Sequence, residues 1–319
     1  MDTTPNQHPG QAKLARRSGK RAAVIGVGAM GLGMAQSLAR AGFDVAGYDI
    51  APDALEKLVQ SGVAAAGSVA EAAAQADFVV TAVVNDAQTR SVLFGPASAT
   101  SVMKPGGIII SSATMPPGAA RALAAEAEAR GVGYLDAPVS GGPAKATTGQ
   151  LTVMASGAPD TLAQATPALA AMATTIYELG SDVGIASSFK IVNQLLAGVH
   201  IAAACEAITL AKRMGLDLDT VYKVITSSAG NSWMFENRIP HVLEGDYKPL
   251  SAIDIFVKDL GIANDIGRTR SFPLPMAATA LQMFLMTSAA GMGKDDDASI
   301  ARMIARIAGL DLPGEPAAS

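Results

Sequence analysis

The chain of 319 residues has few of the side chains on which several classes of protein depend. Its single cysteine, Cys205, excludes an intramolecular disulfide and a cysteine-based zinc cluster, and we expect no metal site. Charged residues make up only 16% with a net charge of −4, so nucleic acid is not an expected partner. No uncharged apolar run reaches the ~18 residues of a membrane span. These features predict a cytoplasmic globular protein.

Histidine, the usual proton carrier in hydride-transfer enzymes, occurs only three times. His8 lies in the polar N-terminal stretch, His200 lies in a long apolar segment, and His241 lies in the loop-like stretch PHVLEGDYKP. None has a neighbour in sequence that would orient it, although the fold could supply one. We predict a structural role for each of the three.

The length of the chain predicts two domains, and the sequence changes character near residue 184. We interpret residues 1–20 as a disordered leader without a hydrophobic signal core, and residues 312–319 as a flexible tail. Between them, residues 21–183 are predicted to form a dinucleotide-binding domain and residues 184–311 an all-helical domain.

Short apolar runs alternate with alanine-rich helical stretches in the first domain, which is typical of a parallel sheet covered on both faces. The predicted strands are 22–27, 44–49, 78–84, 107–111 and 132–136, with 151–156 and 174–179 as possible extensions of the same sheet. After Gly184 only helical patterns follow. The predicted fold is a doubly wound Rossmann-type α/β domain followed by an all-α domain. Because that second domain is apolar on more than one face, we expect a homo-oligomer, either a dimer or a tetramer.

The stretch GVGAMG at 26–31 follows the first predicted strand and opens the first helix. In this pattern the first glycine permits a tight turn, the second lets the backbone approach a pyrophosphate, and the third lets the helix pack closely on the strand. The helix N-terminus then binds the phosphates. The residues predicted to contact the cofactor here are Gly26, Gly28, Ala29, Met30 and Gly31.

Asp49 ends the second predicted strand, at about the 20-residue offset at which this motif places an acidic residue. A carboxylate there accepts hydrogen bonds from a ribose 2′-hydroxyl and repels a 2′-phosphate. The residues after it, IAPD, include no arginine that could bind such a phosphate. We therefore predict NAD rather than NADP as cofactor.

The long apolar segment 185–211 carries only two charged residues, Lys190 and Glu206. An ammonium group on such a helix costs free energy unless it is solvated or used. Helical spacing places Asn193 and Gln194 on the same face as Lys190. The residues alone leave two interpretations open: a surface lysine whose stem lies along apolar surface, or a proton donor held in a cleft.

Four stretches together resemble the β-hydroxyacid dehydrogenase family, and the resemblance extends from about residue 22 to about residue 310. They are GVGAMGLGM (26–34), DAPVSGGPAKATTGQLTVMASG (136–157), GIASSFKIVNQ (184–194) and IFVKDLG (255–261). This resemblance implies that Lys190 is the catalytic lysine and that Asn193 and Gln194 lie in its site. It also implies substrate-carboxylate binding by Ser140, Gly141 and Gly142, a cofactor contact by Thr114, and a contact of Lys258 with both cofactor and substrate.

Physical chemistry is consistent with these implied roles. Successive backbone N–H groups of the Ser-Gly-Gly run can bind an anion without obstruction by side chains. Desolvation in a closed cleft and repulsion from Lys258 would both lower the pKa of Lys190 toward the range where it can exchange a proton. The interpretation of Lys190 as general acid/base is therefore favoured.

Within the family, stretches 136–157 and 251–297 are most similar to the L-threonate dehydrogenase branch. This implies NAD-dependent oxidation of a short hydroxylated sugar acid to its 2-oxo acid. The alternatives are tartronate semialdehyde reductase, 3-hydroxyisobutyrate dehydrogenase and, from another class, a non-catalytic NAD-binding sensor. Lys145 departs from the glycine of many members and either adds a donor near the anion loop or faces solvent. The aspartate run 295–297 is predicted to cap a helix.

Overall fold

The structure is a computed structural model that describes residues 19–314. The leader predicted for residues 1–20 lies outside the described residues up to residue 18, and the predicted tail lies outside them from residue 315.

Six parallel strands form the main sheet, in the order β3-β2-β1-β4-β5-β6. They are β1 (Arg21–Ile25), β2 (Asp44–Tyr48), β3 (Ala64–Ala65), β4 (Phe78–Thr81), β5 (Ile108–Ser111) and β6 (Gly133–Asp136). Their central residues, such as Val24, Val80 and Ile110, are fully buried because helices cover both faces of the sheet. The order is that of a dinucleotide-binding fold, so the predicted Rossmann-type domain is confirmed. Of these six strands, the sequence did not predict the two-residue β3.

Seven helices accompany these strands among the described residues. They are α1 (Ala29–Arg40), α2 (Pro52–Gln60), α3 (Val69–Ala73), α4 (Asp86–Phe94), α5 (Pro117–Glu128), α6 (Gly142–Thr148) and α7 (Pro159–Met172). Proline opens α2 and α5, a position where the first helical residue needs no backbone donor. Side chains cap α3 and α4: Ser68 Oγ accepts from the Glu71 backbone N–H and Asn85 Oδ1 accepts from that of Gln88.

The expectation that 151–156 and 174–179 extend the main sheet is wrong. These residues form a separate three-stranded sheet, made of β7 (Val139–Ser140), β8 (Leu151–Ala155) and β9 (Ala173–Glu178). Between β6 and β8 the chain forms β7, which is antiparallel to β8, and the seven-residue α6. That connection makes a hairpin-like return rather than the long crossover that adds a parallel strand. Backbone hydrogen bonds between Asp136 and Ser156 join the two sheets.

The second domain is helical, as predicted. Its helices are α8 (Ile185–Arg213), α9 (Leu218–Thr226), α10 (Trp233–Glu244), α11 (Ile253–Thr269), α12 (Pro275–Thr287) and α13 (Ile300–Ala308), with a π-helical turn at Ser288–Met292 and a 3₁₀ turn at Asp297–Ser299. The other helices pack around α8, whose Ile201, Cys205 and Ile208 are fully buried in the domain core. By length and composition alone α8 could cross a membrane, but here it is the central helix of a packed domain.

The prediction of a loop around His241 is wrong, because α10 continues through Pro240 to Glu244. Proline in a helix removes one hydrogen bond, but Ile239 and Val242 on either side are fully buried in the core, and this packing outweighs the loss. The fold also supplies the missing neighbour: His241 Nδ1 lies 3.3 Å from Asp296 Oδ1. Asp296 accepts from the Ala298 backbone N–H, so the predicted capping by the aspartate run is found at this residue.

Candidate active site

The glycine turn between β1 and α1 has the geometry that a dinucleotide requires. Gly26 has φ of +87°, and a Cβ there would lie 2.8 Å from the Ala82 carbonyl oxygen. A Cβ on Gly31 would lie 1.8 Å from the Gly26 carbonyl oxygen, so α1 packs directly on the turn. By contrast, among the described residues no atom lies within 4 Å of a Cβ built on Gly28. The N-terminus of α1 is therefore open to a phosphate, and the residues fit the cofactor.

Asp49 follows β2 directly and is fixed by the backbone. Its Oδ2 accepts from the Val27 N–H at 2.8 Å and its Oδ1 accepts from the Ala51 N–H at 2.9 Å. Each carboxylate oxygen has more than one lone pair, so both can still accept from ribose hydroxyls. The carboxylate thus lies beside the glycine turn, where a carboxylate can accept from a ribose 2′-hydroxyl.

A cleft of about 860 Å³ opens at the C-terminal ends of β1, β4 and β5, where the strand order reverses, and α8 and α11 form its other wall. It collects most of the residues that the sequence singles out: Gly28, Ala29, Met30, Thr114, Ser140, Gly141, Gly142, Lys145, Lys190, Asn193, Gln194 and Lys258. Gly26 and Gly31 lie inside the turn, in contact with each other. Asp49 also lies off the cleft wall.

Lys190 is buried, with 8% of its surface exposed, although it faces the cleft. Burial lowers the pKa of Lys190 to about 8, Asp259 opposes this shift, and Lys258 adds to it. The direction matches the expectation from sequence, but loss of water is the main cause and repulsion from Lys258 is minor. A lysine with this pKa exchanges protons near neutral pH.

Sequence reasoning missed Asp259, a carboxylate of the cleft wall that is only 1% exposed. Asp259 accepts from Gln194 Nε2 at 2.5 Å, and Lys258 Nζ lies 2.9 Å from its Oδ1. A signal was present: Asp259 falls on the buried stripe of α11 between Phe256 and Ala263. An aspartate at such a position must be paired, so its presence indicates a buried polar network.

The two amides on α8 differ in what they can offer a substrate. Asn193 Nδ2 donates to Gln194 Oε1 at 2.9 Å, and Gln194 in turn donates to Asp259. The Gln194 amide is therefore engaged at both ends and holds Asn193 in place. Asn193 can offer its carbonyl oxygen to a ligand in the cleft.

Lys258 links the two domains. Its Nζ donates to the Val84 carbonyl at 2.7 Å and to the Thr114 carbonyl at 2.9 Å, which lie beyond the ends of β4 and β5. A single side chain of α11 therefore holds the edge of the sheet where a cofactor would lie. This position is compatible with the implied contact of Lys258 with both cofactor and substrate.

The Ser-Gly-Gly run forms the turn from β7 into α6, on the cleft wall. Gly141 and Gly142 have φ of +131° and +76°, conformations that expose successive backbone N–H groups. The Lys145 side chain lies over this turn, because a Cβ on Gly141 would meet its Cδ at 2.9 Å. Lys145 is exposed and also lines the cleft. It therefore faces solvent and lies near the anion loop, so its position agrees with both interpretations.

The far part of the cleft contains His200, for which the sequence predicts a structural role, although it lines the cleft. It also contains polar residues that the sequence did not single out, among them Asn237, Arg238 and Ser251. Arg238 is buried, its Nε lies 2.5 Å from Asp297 Oδ1, and it donates through Nη1 to Asn237 Oδ1. This chain of contacts fixes Asn237, which can offer its amide nitrogen to a ligand. Its members come from α10 and from the turn before α13, so only folding brings them together.

Comparisons with known proteins agree with this geometry. A family model described as the NAD binding domain of 6-phosphogluconate dehydrogenase matches residues 21–180, and one described as NAD-binding of NADP-dependent 3-hydroxyisobutyrate dehydrogenase matches residues 184–304. L-threonate dehydrogenase of Cupriavidus necator is 52% identical, over 92% of this chain and 97% of the relative. L-threonate dehydrogenase of Haemophilus influenzae is 47% identical, over 91% and 96%. A crystal structure described as 3-hydroxyisobutyrate dehydrogenase from Salmonella typhimurium is 47% identical with a TM-score of 0.85, covering 89% of this chain and 99% of that one.

Proposed function

Because this chain belongs to the 3-hydroxyisobutyrate dehydrogenase-like β-hydroxyacid dehydrogenases, we propose that it oxidises L-threonate to the 2-oxo acid with NAD. The predicted family and its NAD-binding domain are confirmed by the comparisons. The observation that carries the chemical part of the proposal is the buried Lys190 in a cleft that begins at the open glycine turn.

Different residues of the cleft have different roles in the proposed reaction. Bound NAD would supply the acceptor for the hydride that leaves the carbinol carbon. Lys190, neutral above its pKa of about 8, takes the proton of the carbinol hydroxyl as the hydride leaves. The Ser140 hydroxyl and the backbone N–H groups of Gly141 and Gly142 hold the substrate carboxylate. In the reverse direction the ammonium form of Lys190 returns the proton.

The substrate assignment rests on the relatives and on the polar wall of the cleft. Relatives 44–52% identical over at least 91% of this chain are named L-threonate dehydrogenase. Asn193, Asn237 and Ser251 supply hydrogen-bonding groups along the cleft, which suit a hydroxylated chain. A site built to bind hydroxyls rejects an analogue that lacks them by up to about 10⁴-fold.

The test is NAD reduction by the purified protein with L-threonate, D-threonate, D-erythronate, D-glycerate and 3-hydroxyisobutyrate. We expect L-threonate to give the highest kcat/KM. A large advantage for D-glycerate or 3-hydroxyisobutyrate would overturn the threonate assignment and leave the family, the cofactor and Lys190 untouched. No turnover with any of the five acids would point to the NAD-binding sensor.

A second candidate, 3-hydroxyisobutyrate dehydrogenase, is favoured by one specific observation. The Salmonella typhimurium structure with that name is as similar in sequence as several of the L-threonate dehydrogenases. A methyl-branched acid carries no hydroxyl beyond the reacting one, so it would offer no acceptor to the Asn237 amide nitrogen. Replacing Asn237 with Ala should therefore lower kcat/KM for L-threonate and spare that for 3-hydroxyisobutyrate.

We also propose that the protein is a cytoplasmic homo-oligomer assembled through residues 184–311. A stripe of apolar side chains follows one face of α8 and is 50–65% exposed. It comprises Phe189, Val192, Leu196, Leu210 and Met214. An apolar surface of this kind on a helix is typical of a subunit interface.

A further inference from the structure

The helix that carries Lys190 begins at a residue that cannot cap it. Gly184 is the N-cap of α8 and has φ of +97°. A Cβ on Gly184 would lie 2.8 Å from the Pro117 carbonyl oxygen and 2.7 Å from Arg121 Nη1. A serine or aspartate, the usual capping residue, therefore has no room at this position. The first N–H groups of α8 need acceptors from elsewhere.

Asp136, the last residue of β6, supplies those acceptors. Its Oδ2 accepts from the backbone N–H groups of Gly184 and Ser187, each at 2.9 Å, and its Oδ1 accepts from Ser187 Oγ at 2.8 Å. Ser156 Oγ accepts from the Ala186 N–H at 3.0 Å and lies 3.4 Å from the same carboxylate. Asp136 is 1% exposed, and the positive end of α8 offsets its buried charge.

The position of Asp136 along the chain gives this cap a second consequence. Four residues after Asp136 the chain enters the Ser140–Gly142 turn. Ser187 precedes Lys190 by three residues, about one helical turn. One carboxylate therefore ties the loop proposed to hold the substrate carboxylate to the helix that holds the proposed general base.

We propose that Asp136 is a positioning residue for the reaction: by capping α8 from β6, it fixes Lys190 relative to the substrate-binding turn. This inference rests on the proposed function of Lys190. Asp136 lies at the N-terminus of α8 and does not line the cleft, so its role is to position other residues. A displacement of about 1 Å in a reacting group is enough to lower a rate by about a hundredfold.

The test compares two cap removals, Asp136→Ala and Asp217→Ala. Asp217 caps α9 through the Thr220 N–H at 2.9 Å, and no residue of α9 lines the cleft. Both variants should have a lower Tm. Only Asp136→Ala should lower kcat, by about 10- to 100-fold, with NADH affinity unchanged. Asp136→Asn, which keeps one acceptor oxygen for Gly184 and Ser187, should recover part of that loss.

The pH profile separates positioning from a merely structural role. Burial holds the pKa of Lys190 near 8, so a displaced Lys190 that gains water should have a higher pKa. The rising limb of kcat/KM should therefore move to higher pH in Asp136→Ala. The charged and titratable groups that line the cleft around it stay the same in both variants; they are Lys145, His200, Arg238, Lys258 and Asp259. In Asp217→Ala the limb of kcat/KM should lie at the same pH as in the parent.

The inference is overturned if Asp136→Ala loses Tm but keeps the parent kcat and pH limb. If Asp136→Ala does not fold, Ser187→Ala decides, because it removes only the 2.8 Å hydrogen bond to Oδ1. Ser187→Ala should show a smaller upward shift of the limb, and an unchanged limb and kcat would overturn the inference. A Lys190→Ala variant with near-normal activity would instead refute the proposed function and leave the cap itself in place.

Discussion

A lysine in the second turn of a mostly apolar helix costs free energy unless its charge is solvated, paired or lost. For Lys190 the fold makes charge loss easy, because burial lowers its pKa to about 8. Asp259 limits that shift, so the ammonium form persists at neutral pH. The balance of these two effects suits a group that must both accept and return a proton.

Replacing Asp259 with Asn should move the lysine limb of the pH profile. The carboxylate favours the ammonium form of Lys190, so its loss leaves burial and Lys258 and lowers the pKa of Lys190 below about 8. We expect the rising limb of kcat/KM for oxidation to move to lower pH. Asp265→Asn, on the exposed face of the same helix, is the matched control and should leave the limb in place. An unchanged limb in Asp259→Asn would remove Asp259 from the account of Lys190.

Cofactor choice should depend on Asp49 and the residue after it. The parent should use NAD with higher kcat/KM than NADP, since a carboxylate repels the 2′-phosphate. Ile50 is 86% exposed, so Ile50→Arg adds a phosphate ligand without loss of packing. The pair Asp49→Ser and Ile50→Arg should shift the ratio of the two kcat/KM values toward NADP, with Ile50→Arg alone as the control. Equal efficiency of the parent with both cofactors would contradict this role of Asp49.

Which of these residues the sequence could predict depends on whether their partners are local. The glycine turn, Asp49 and the Lys190 face follow from spacing within one element or one βαβ unit. Asp259 could not be assigned in this way, because its contact with Gln194 joins α11 to α8. Asn237 could not be either, because the Arg238 that holds it pairs with Asp297 in the turn before α13. Those pairings exist only after the helices pack.

At the scale of elements, strands and helices with strong local patterns were predictable, and those set by tertiary contacts were not. The short β3 pairs with β2, and β7 to β9 form their own sheet, in which β7 turns back antiparallel on β8. Helix α10 passes through Pro240 because its flanking apolar residues pack on α8. In each case neighbouring elements outweigh the local signal.

The ion pair between α10 and the aspartate run gives α10 a pH-dependent attachment. The Asp296 carboxylate, 3.3 Å from His241 Nδ1, raises the pKa of His241 above its usual range, against the opposing effect of burial. A raised folded-state pKa means that the pair stabilises the protein fully below the unfolded value of about 6.5 and stops doing so as pH rises through the folded value. We expect Tm to fall between pH 6 and pH 9 by more in the parent than in His241→Gln. Parallel Tm curves for the two proteins would contradict this.

At the scale of the whole molecule, the apolar stripe on α8 predicts assembly. Sedimentation velocity at micromolar concentration should show a dimer or a tetramer. Val192→Glu together with Leu196→Glu should shift the distribution toward monomer, because both side chains are at least 50% exposed and a charge there would have to be buried in the interface. A parent that sediments only as monomer would refute the proposed assembly.

The two domains together bring the glycine turn, the Ser-Gly-Gly loop and Lys190 to one cleft, and the proposed catalytic role of that cleft rests on the proton step at Lys190. The most direct test is the pH dependence of kcat/KM for L-threonate oxidation in the parent, in Lys190→Ala and in the control Lys212→Ala, an exposed lysine at the far end of α8. In the parent and in the control, kcat/KM should rise with pH through a pKa of about 8 and then level off. Lys190→Ala should lose about 10²–10⁴ in rate together with that limb, and it should still bind NADH. A Lys190→Ala variant with near-normal activity and the same limb would contradict the assignment of Lys190 as general base.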